Sequence, residues 1–227
     1  MGYQFDFSFV VEYWPQLIDG ALRTLWLSGF SIVFGFVFGA GCAIARIHGS
    51  PMAQRCVGAY VDVIRNTPLV IQAFWLFFGM AALGFRIPAF YAAIITLVIN
   101  VGAYTTEILR AGLESVPNGQ REAANCLGLK TWQVIFYVEL PQAVERVYPA
   151  LVSQFILMML ATSIMSQISV EELTGSAYGI QSLTFRGFEI YIVVAAVYLL
   201  LSWLTRAVMM LVGKLVFTRK RRLGTAL

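Results

Sequence analysis

The stretch TLWLSGFSIVFGFVFGAGCAIA, residues 24–45, contains no charged side chain. A helix rises about 1.5 Å per residue, so roughly 20 residues cross a hydrocarbon layer about 30 Å thick. This stretch is long and apolar enough to form a transmembrane helix, and lipid is the solvent that such a sequence favours.

The rest of the chain repeats the pattern. Of the 227 residues, 59% are hydrophobic and 12% are charged, whereas soluble domains carry about 25% charged residues. We therefore expect an all-α, polytopic membrane protein. The charge-free intervals predict five transmembrane helices, near residues 22–45, 60–82, 88–110, 148–170 and 188–213.

Loop charges set the expected orientation. Lys and Arg concentrate after the first and third predicted helices and at the C-terminus. The other side carries only three arginines, set among six acidic residues: Arg23, Arg86 and Arg186, with Asp6, Glu12, Asp19, Glu171, Glu172 and Glu189. The positive-inside rule then places the N-terminus outside and the C-terminus in the cytoplasm. Residues 1–20 are interpreted as an interfacial segment on the outer face, 21–213 as the membrane domain and 214–227 as a basic cytoplasmic tail. That tail is expected to meet anionic lipid and not nucleic acid.

Residues 117–146 form a polar insert between the third and fourth predicted helices. Gln120–Lys130 is rich in helix formers, Gly128 interrupts it, and Pro141 should end or bend any helix that precedes it. The insert is predicted to contain a short helix, a bend and a second helix. Ala123, Ala124 and Leu127 would give the short helix one apolar face, suited to the groove of another protein.

The spacing of this insert resembles the EAA loop of ABC importer membrane subunits. The matching pattern is Glu122-Ala123-Ala124, three residues, Gly128, nine residues, Val138, one residue and Leu140-Pro141. Val138 stands where isoleucine is commoner. RNTPLVIQ, AYTTEILRAGLESVPNGQREAA and LPQA, at residues 65–72, 103–124 and 140–143, are similar to the polar amino-acid branch of that family.

The resemblance implies a permease of the type I ABC importer kind in the bacterial inner membrane, which moves a polar or charged amino acid inward by alternating access. Its EAA loop would be a coupling helix seated in a separate ATP-binding subunit. A second permease chain, identical or homologous, and an extracytoplasmic binding protein would complete the assembly. The residues implied in coupling are Gly119, Gln120, Glu122, Ala123, Ala124, Gly128, Leu140 and Pro141.

The chain itself shows no enzymatic signature. It lacks the GxxxxGK[ST] phosphate-binding pattern, so ATP and Mg²⁺ are expected on the partner subunit and no cofactor on this chain. The three cysteines have no CxxC spacing, and the single histidine, His48, is expected in a solvated loop. We predict no catalytic residue and no metal site.

Polar side chains inside predicted spans are costly and therefore suggest function. Asn100, Tyr104 and Glu107 share one helical face. The candidate substrate path comprises Gln72, Asn100, Tyr104, Ser163 and Gln167, although each of these residues could instead serve interhelical hydrogen bonding. Asp62, Arg65 and Glu107 are candidates for a gate or an ion pair, with local pairing of Asp62 and Arg65 favoured.

One feature of the first predicted helix leaves two interpretations open. Ser31, Gly35, Gly39 and Ala43 form a small-residue stripe that permits close approach of another helix. That helix could belong to the same chain or to a second subunit.

Two other classes of protein also fit a set of spans. A secondary transporter usually shows inverted repeats, and the five predicted spans with one elaborate loop show no second copy. A membrane scaffold would explain the spans but would leave the EAA spacing as coincidence.

Overall fold

The computed structural model describes residues 4–217, which form helices and no strand. The predicted tail residues Arg219–Arg222 lie outside this range. The helices are α1 Phe9–His48, α2 Pro51–Arg65, α3 Leu69–Ala82, α4 Ala89–Glu114, α5 Asn118–Cys126, α6 Thr131–Ile168, α7 Leu173–Thr184 and α8 Gly187–Val216.

Four of these helices, α1, α4, α6 and α8, are long and apolar enough to cross a membrane. A fifth crossing is present if α2 and α3, whose axes differ by 106°, together make one broken span. The all-helical membrane fold is thus confirmed. The continuous second helix predicted at 60–82 is wrong, because the chain breaks after Arg65.

Pro68 explains the break between α2 and α3. Its ring disfavours helical geometry at Thr67 and removes a backbone donor, and Pro68 itself is extended, with φ −60° and ψ 137°. Side chains add hydrogen bonds to the carbonyls at the end of α2, although the Asp62 carbonyl also accepts the Asn66 N–H at 3.2 Å. Asn66 Nδ2 donates to the Asp62 carbonyl at 2.7 Å, and Thr67 Oγ1 donates to that of Val63 at 2.9 Å.

Helix α1 differs from its prediction at its beginning. It starts at Phe9 and runs unbroken to His48, with Pro15 inside it. The predicted separate segment 1–20 is therefore mostly the first turns of the same helix. Pro15 is the seventh residue of α1 and lacks an N–H, so it cannot donate to the Val11 carbonyl.

Pro141 does not end the helix that contains it. A π-helical stretch, Val134–Glu139, lies immediately before it inside α6. The wider π turn makes room for the proline ring and its missing donor. Gln142 Nε2 then donates to the Val138 carbonyl at 2.8 Å.

The chain divides into two compact units. The first combines the residues up to Ile32 with Pro68–Leu97 and Ile156–Arg206. Its buried core comprises Leu17, Met159, Leu173, Ala177, Ile180, Ile190, Val194 and Leu201. Beside it, the buried carboxylate of Glu172 caps α7 by accepting the Gly175 N–H at 2.9 Å and also accepts the Tyr198 hydroxyl at 2.6 Å. Burial raises the pKa of Glu172.

The second unit combines Val33–Thr67, Val98–Phe155 and the chain from Ala207. Here two glycines of the small-residue stripe pack against α4 of the same chain. A Cβ on Gly35 would lie 2.5 Å from Val101 Cβ, and one on Gly39 would lie 2.7 Å from the Gly102 carbonyl oxygen. At these positions the stripe serves packing within the chain and not a subunit interface.

This close packing predicts a contrast between two glycines of α1. Gly39→Ala should lower the thermal stability of the purified protein in detergent, since overpacking typically costs about 1–3 kcal/mol. Gly41→Ala is the matched control, because a Cβ there meets nothing within 4 Å. Equal melting temperatures for the two variants would refute the tight contact between α1 and α4.

Candidate coupling and transport sites

Helix α5 carries the EAA residues, and its ends follow from local chemistry. Pro117 is extended, at φ −60° and ψ 136°, and sets the start at Asn118. Gly128 has φ +76°, a conformation that favours glycine. The Leu129 N–H bonds the Ala124 carbonyl at 3.2 Å, and the Gly128 N–H bonds that of Asn125 at 2.9 Å. This is a Schellman ending, and the predicted bend at Gly128 is confirmed.

The side chains of α5 point in two directions. Ala124 is buried, with 4% of its surface exposed, whereas Leu127 is 81% exposed. Gly119, Gln120, Glu122, Ala123 and Gly128 are exposed as well. The single apolar face predicted from Ala123, Ala124 and Leu127 is therefore wrong. Adjacent helical residues lie about 100° apart, so Ala124 packs inward while Ala123 faces solvent.

The two remaining residues of the motif lie in α6. Leu140 is half-buried and Pro141 is exposed, directly after the π-helical stretch. They belong to the helix that leads into the next span, and not to α5. In this structure the motif thus joins an exposed helix to the beginning of a membrane helix.

A buried carboxylate, which the sequence did not single out, holds α5 in place. Glu139 is 1% exposed. Its Oε1 lies 2.6 Å from Arg121 Nε, and its Oε2 lies 2.7 Å from His48 Nε2. His48 is the last residue of α1 and is exposed, so the predicted loop is wrong and the predicted solvent exposure is confirmed. We call Glu139, Arg121 and His48 the carboxylate bridge.

Two further contacts attach the same region to the end of α4. Arg121 Nη2 donates to the Leu113 carbonyl at 3.0 Å. The Arg146 guanidinium donates to the Ser115 carbonyl. Arg121 thus joins α5 to α6 and α4, and Glu139 of α6 in turn contacts the end of α1.

A second charged group lies on the predicted polar face of α4. Asn100 is buried, and Tyr104 and Glu107 are half-buried. The Arg65 guanidinium lies 5.3 Å from the centre of the Tyr104 ring, and its Nη1 is 3.8 Å from Glu107 Oε2. Among the described residues Arg65 approaches Glu107 and not Asp62, so the favoured pairing with Asp62 is wrong.

Arg110 of the same helix holds Glu107 more closely. Its Nη2 lies 3.0 Å from Glu107 Oε2, and its Nε donates to both carboxylate oxygens at 3.2 Å.

The other candidate path residues lie in the first unit. Gln72 is half-buried on α3, and Gln167 is exposed near the end of α6. Ser163 donates to the Leu160 carbonyl of its own helix at 2.7 Å. The last turns of α6, Thr162–Ile168, form a 3-10 helix that packs against α3. Gln72, Ser163 and Gln167 therefore lie on contacting elements, whereas Asn100 and Tyr104 belong to the second unit.

An all-helical membrane fold with an exposed helix between two spans defines the class of protein, a membrane subunit of a transporter. Residues 25–221 match the family described as binding-protein-dependent transport system inner membrane component. The chain belongs to this family and is the permease of an ABC importer.

Named relatives and a solved structure agree with this assignment. The glutamine transport system permease protein GlnP of Escherichia coli (strain K12) is 40% identical over 201 residues, covering 88% of this chain and 92% of the relative. The nopaline transport system permease protein NocM of Agrobacterium fabrum (strain C58 / ATCC 33970) is 33% identical, covering 91% and 90%. A crystal structure of an amino acid ABC transporter with histidines superposes with a TM-score of 0.84 at 36% identity, covering 93% and 99%.

Because Ala124 is buried and Ala123 is exposed, substitutions at these two adjacent residues should affect stability differently. Ala124→Trp should reduce the yield of monodisperse protein, because the ring has no room at a buried position. Ala123→Trp should leave yield and melting temperature close to those of the unsubstituted protein. Size-exclusion profiles of the detergent-solubilised variants test this, and a stable Ala124→Trp protein would contradict the inward placement.

Proposed function

We propose that this permease imports a polar or charged amino acid, driven by a separate ATP-binding subunit that docks on α5. The observation that carries the proposal is the exposed surface of α5, which presents Glu122, Ala123 and Leu127 to solvent. Leu127, directly after α5, adds an exposed apolar side chain four residues from Ala123. The EAA spacing is the second support.

The carboxylate bridge supports the same proposal mechanically. A helix that transmits motion must be fixed to the elements that it moves. Arg121 of α5 contacts α6 and α4, and Glu139 of α6 extends this link to α1. Closure of two ATP-binding subunits would draw two coupling helices together and shift the permeases between inward-facing and outward-facing states. ATP and Mg²⁺ would bind the partner, and a second permease chain would complete the pathway.

The proposed location is the bacterial inner membrane, with the N-terminus outside and the C-terminus in the cytoplasm. The distribution of Arg and Lys supports this orientation. It places α5 on the cytoplasmic side, where ATP is available. An extracytoplasmic binding protein would deliver substrate to the opposite side.

The amino-acid class is supported by the relatives and by the chain. The relatives are described as transporting glutamine and nopaline. Along the candidate path this chain offers neutral dipoles at Gln72, Asn100, Tyr104, Ser163 and Gln167. Such groups can bind an ammonium and a carboxylate group without a fixed charge that would trap the substrate.

We expect Glu122→Lys and Ala123→Trp to weaken docking of the ATP-binding subunit. Loss of about 2 kcal/mol at an interface centre corresponds to roughly 30-fold weaker binding. The measurement is co-purification from native membranes in mild detergent, with the Walker A-containing subunit identified by mass spectrometry and ATP hydrolysis assayed in the complex.

Glu12→Lys is the matched control, since Glu12 is exposed and lies at the predicted outer end of α1. It should leave the ATP-binding subunit bound. Undiminished co-purification with both α5 variants would rule out α5 as the docking site. Amino-acid uptake that follows an ion gradient without ATP would instead favour a secondary transporter.

The substrate path generates a separate prediction. Asn100→Leu should lower ATP-driven amino-acid uptake in proteoliposomes roughly fivefold, the effect of losing one hydrogen bond worth about 1 kcal/mol. Thr96→Val is the control, because the Thr96 hydroxyl donates to the Ala92 carbonyl of its own helix. Unchanged uptake kinetics for Asn100→Leu would assign Asn100 to packing.

A further inference from the structure

The carboxylate bridge joins three segments that are distant in sequence. Glu139 comes from the π-helical stretch of α6, Arg121 from the second turn of α5 and His48 from the last turn of α1. Oε1 forms an ion pair with Arg121 Nε at 2.6 Å without hydrogen-bond alignment, and Oε2 is hydrogen-bonded to His48 Nε2 at 2.7 Å. One buried side chain of α6 therefore contacts both α5 and α1.

Packing alone does not account for a carboxylate at this position. Val134 and Ile135, in the same π-helical stretch, are buried with apolar side chains. Burying a charge costs several kcal/mol unless it is fully paired, and apolar replacements of buried ion pairs are often neutral or stabilising. What a paired carboxylate adds is a fixed geometry, because its two oxygens hold two partners at defined positions.

Short backbone segments join α5, which has only nine residues, to its neighbours: residues 115–117 connect it to α4 and residues 127–130 connect it to α6. A force on its exposed face can reach both membrane helices through these segments. Side-chain contacts add a second route. Arg121 provides them on the inward side, to Glu139 and to the Leu113 carbonyl.

We infer that Glu139 is a positioning residue that transmits movement of α5 to α1 and α6 through its contacts with Arg121 and His48. This inference rests on the proposed docking of an ATP-binding subunit on α5. Docking uses the exposed face of α5, whereas the carboxylate bridge lies on the inward side. Loss of the bridge should therefore uncouple transport from hydrolysis and leave the complex assembled.

The test uses the assembled transporter in proteoliposomes. Glu139→Gln keeps the size of the side chain and removes its charge. We expect the ATP-binding subunit to remain bound and ATP hydrolysis to continue. The amino acid imported per ATP hydrolysed should fall about tenfold, within the usual range of coupling between sites. Glu145→Gln is the matched control, a half-buried glutamate of the same helix, and should leave that ratio unchanged.

A pair of variants at His48 separates positioning from general stability. His48→Gln retains an N–H donor for Glu139 and should preserve the ratio of transport to hydrolysis. His48→Ala removes the donor and should lower the ratio, at a similar melting temperature. This pair decides the question if Glu139→Gln does not yield folded protein.

Two results would overturn the inference. One is an unchanged ratio in both Glu139→Gln and His48→Ala. The other is a folded Glu139→Gln protein that has lost its ATP-binding subunit, which would make Glu139 part of docking instead of transmission. Failure of the docking proposal would appear separately, as an ATP-binding subunit retained by Glu122→Lys and Ala123→Trp.

Discussion

Backbone hydrogen bonding in a medium without water is the constraint on which the rest of the structure depends. Within hydrocarbon each unsatisfied N–H or C=O costs several kcal/mol, so a chain this apolar crosses as helices. Where a helix is broken, side chains supply additional donors, as Thr67 does to the Val63 carbonyl before Pro68. Hydroxyls inside helices donate back to their own backbone, as Thr106 does to Gly102 at 2.7 Å.

The same constraint separates two kinds of surface. The apolar exterior of α8 faces lipid, so its exposed side chains need no protein partner. The exposed face of α5 is different, because it lies in a polar insert and still presents Leu127 and Ala123. Helix α5 is polar, exposes apolar side chains and is held on its inward side by the buried carboxylate of Glu139. These features support the proposed docking of a protein partner.

The spans and the ending of α5 could be predicted from the sequence. Charge-free intervals indicate spans because charged side chains are costly in lipid. Gly128 indicates a helix end at which one residue has a positive φ, a backbone conformation that residues other than glycine disfavour. The EAA spacing predicts a coupling element through its resemblance to importer permeases, and that role stays a prediction. These signals are all local.

The features that could not be predicted depend on contacts between distant segments. Glu139 and His48 lie 91 positions apart, and neither residue belongs to a recognisable motif. The burial of Ala124 depends on where the neighbouring helices lie, and the helical pattern of the sequence does not give their positions. The partner of Arg65 was misassigned because Asp62 is nearer in sequence, whereas the fold brings Glu107 within reach.

The central claim is that α5 lies on the cytoplasmic side and is the docking site of a separate ATP-binding subunit. Site-directed labelling tests this claim most directly. Ala123→Cys would be placed in a chain whose natural cysteines, Cys42, Cys56 and Cys126, are replaced by serine. A membrane-impermeant maleimide should label it in inside-out vesicles stripped of the ATP-binding subunit. Re-addition of that subunit should protect it. Labelling from the outside of intact cells, or no protection by the bound subunit, would contradict the account.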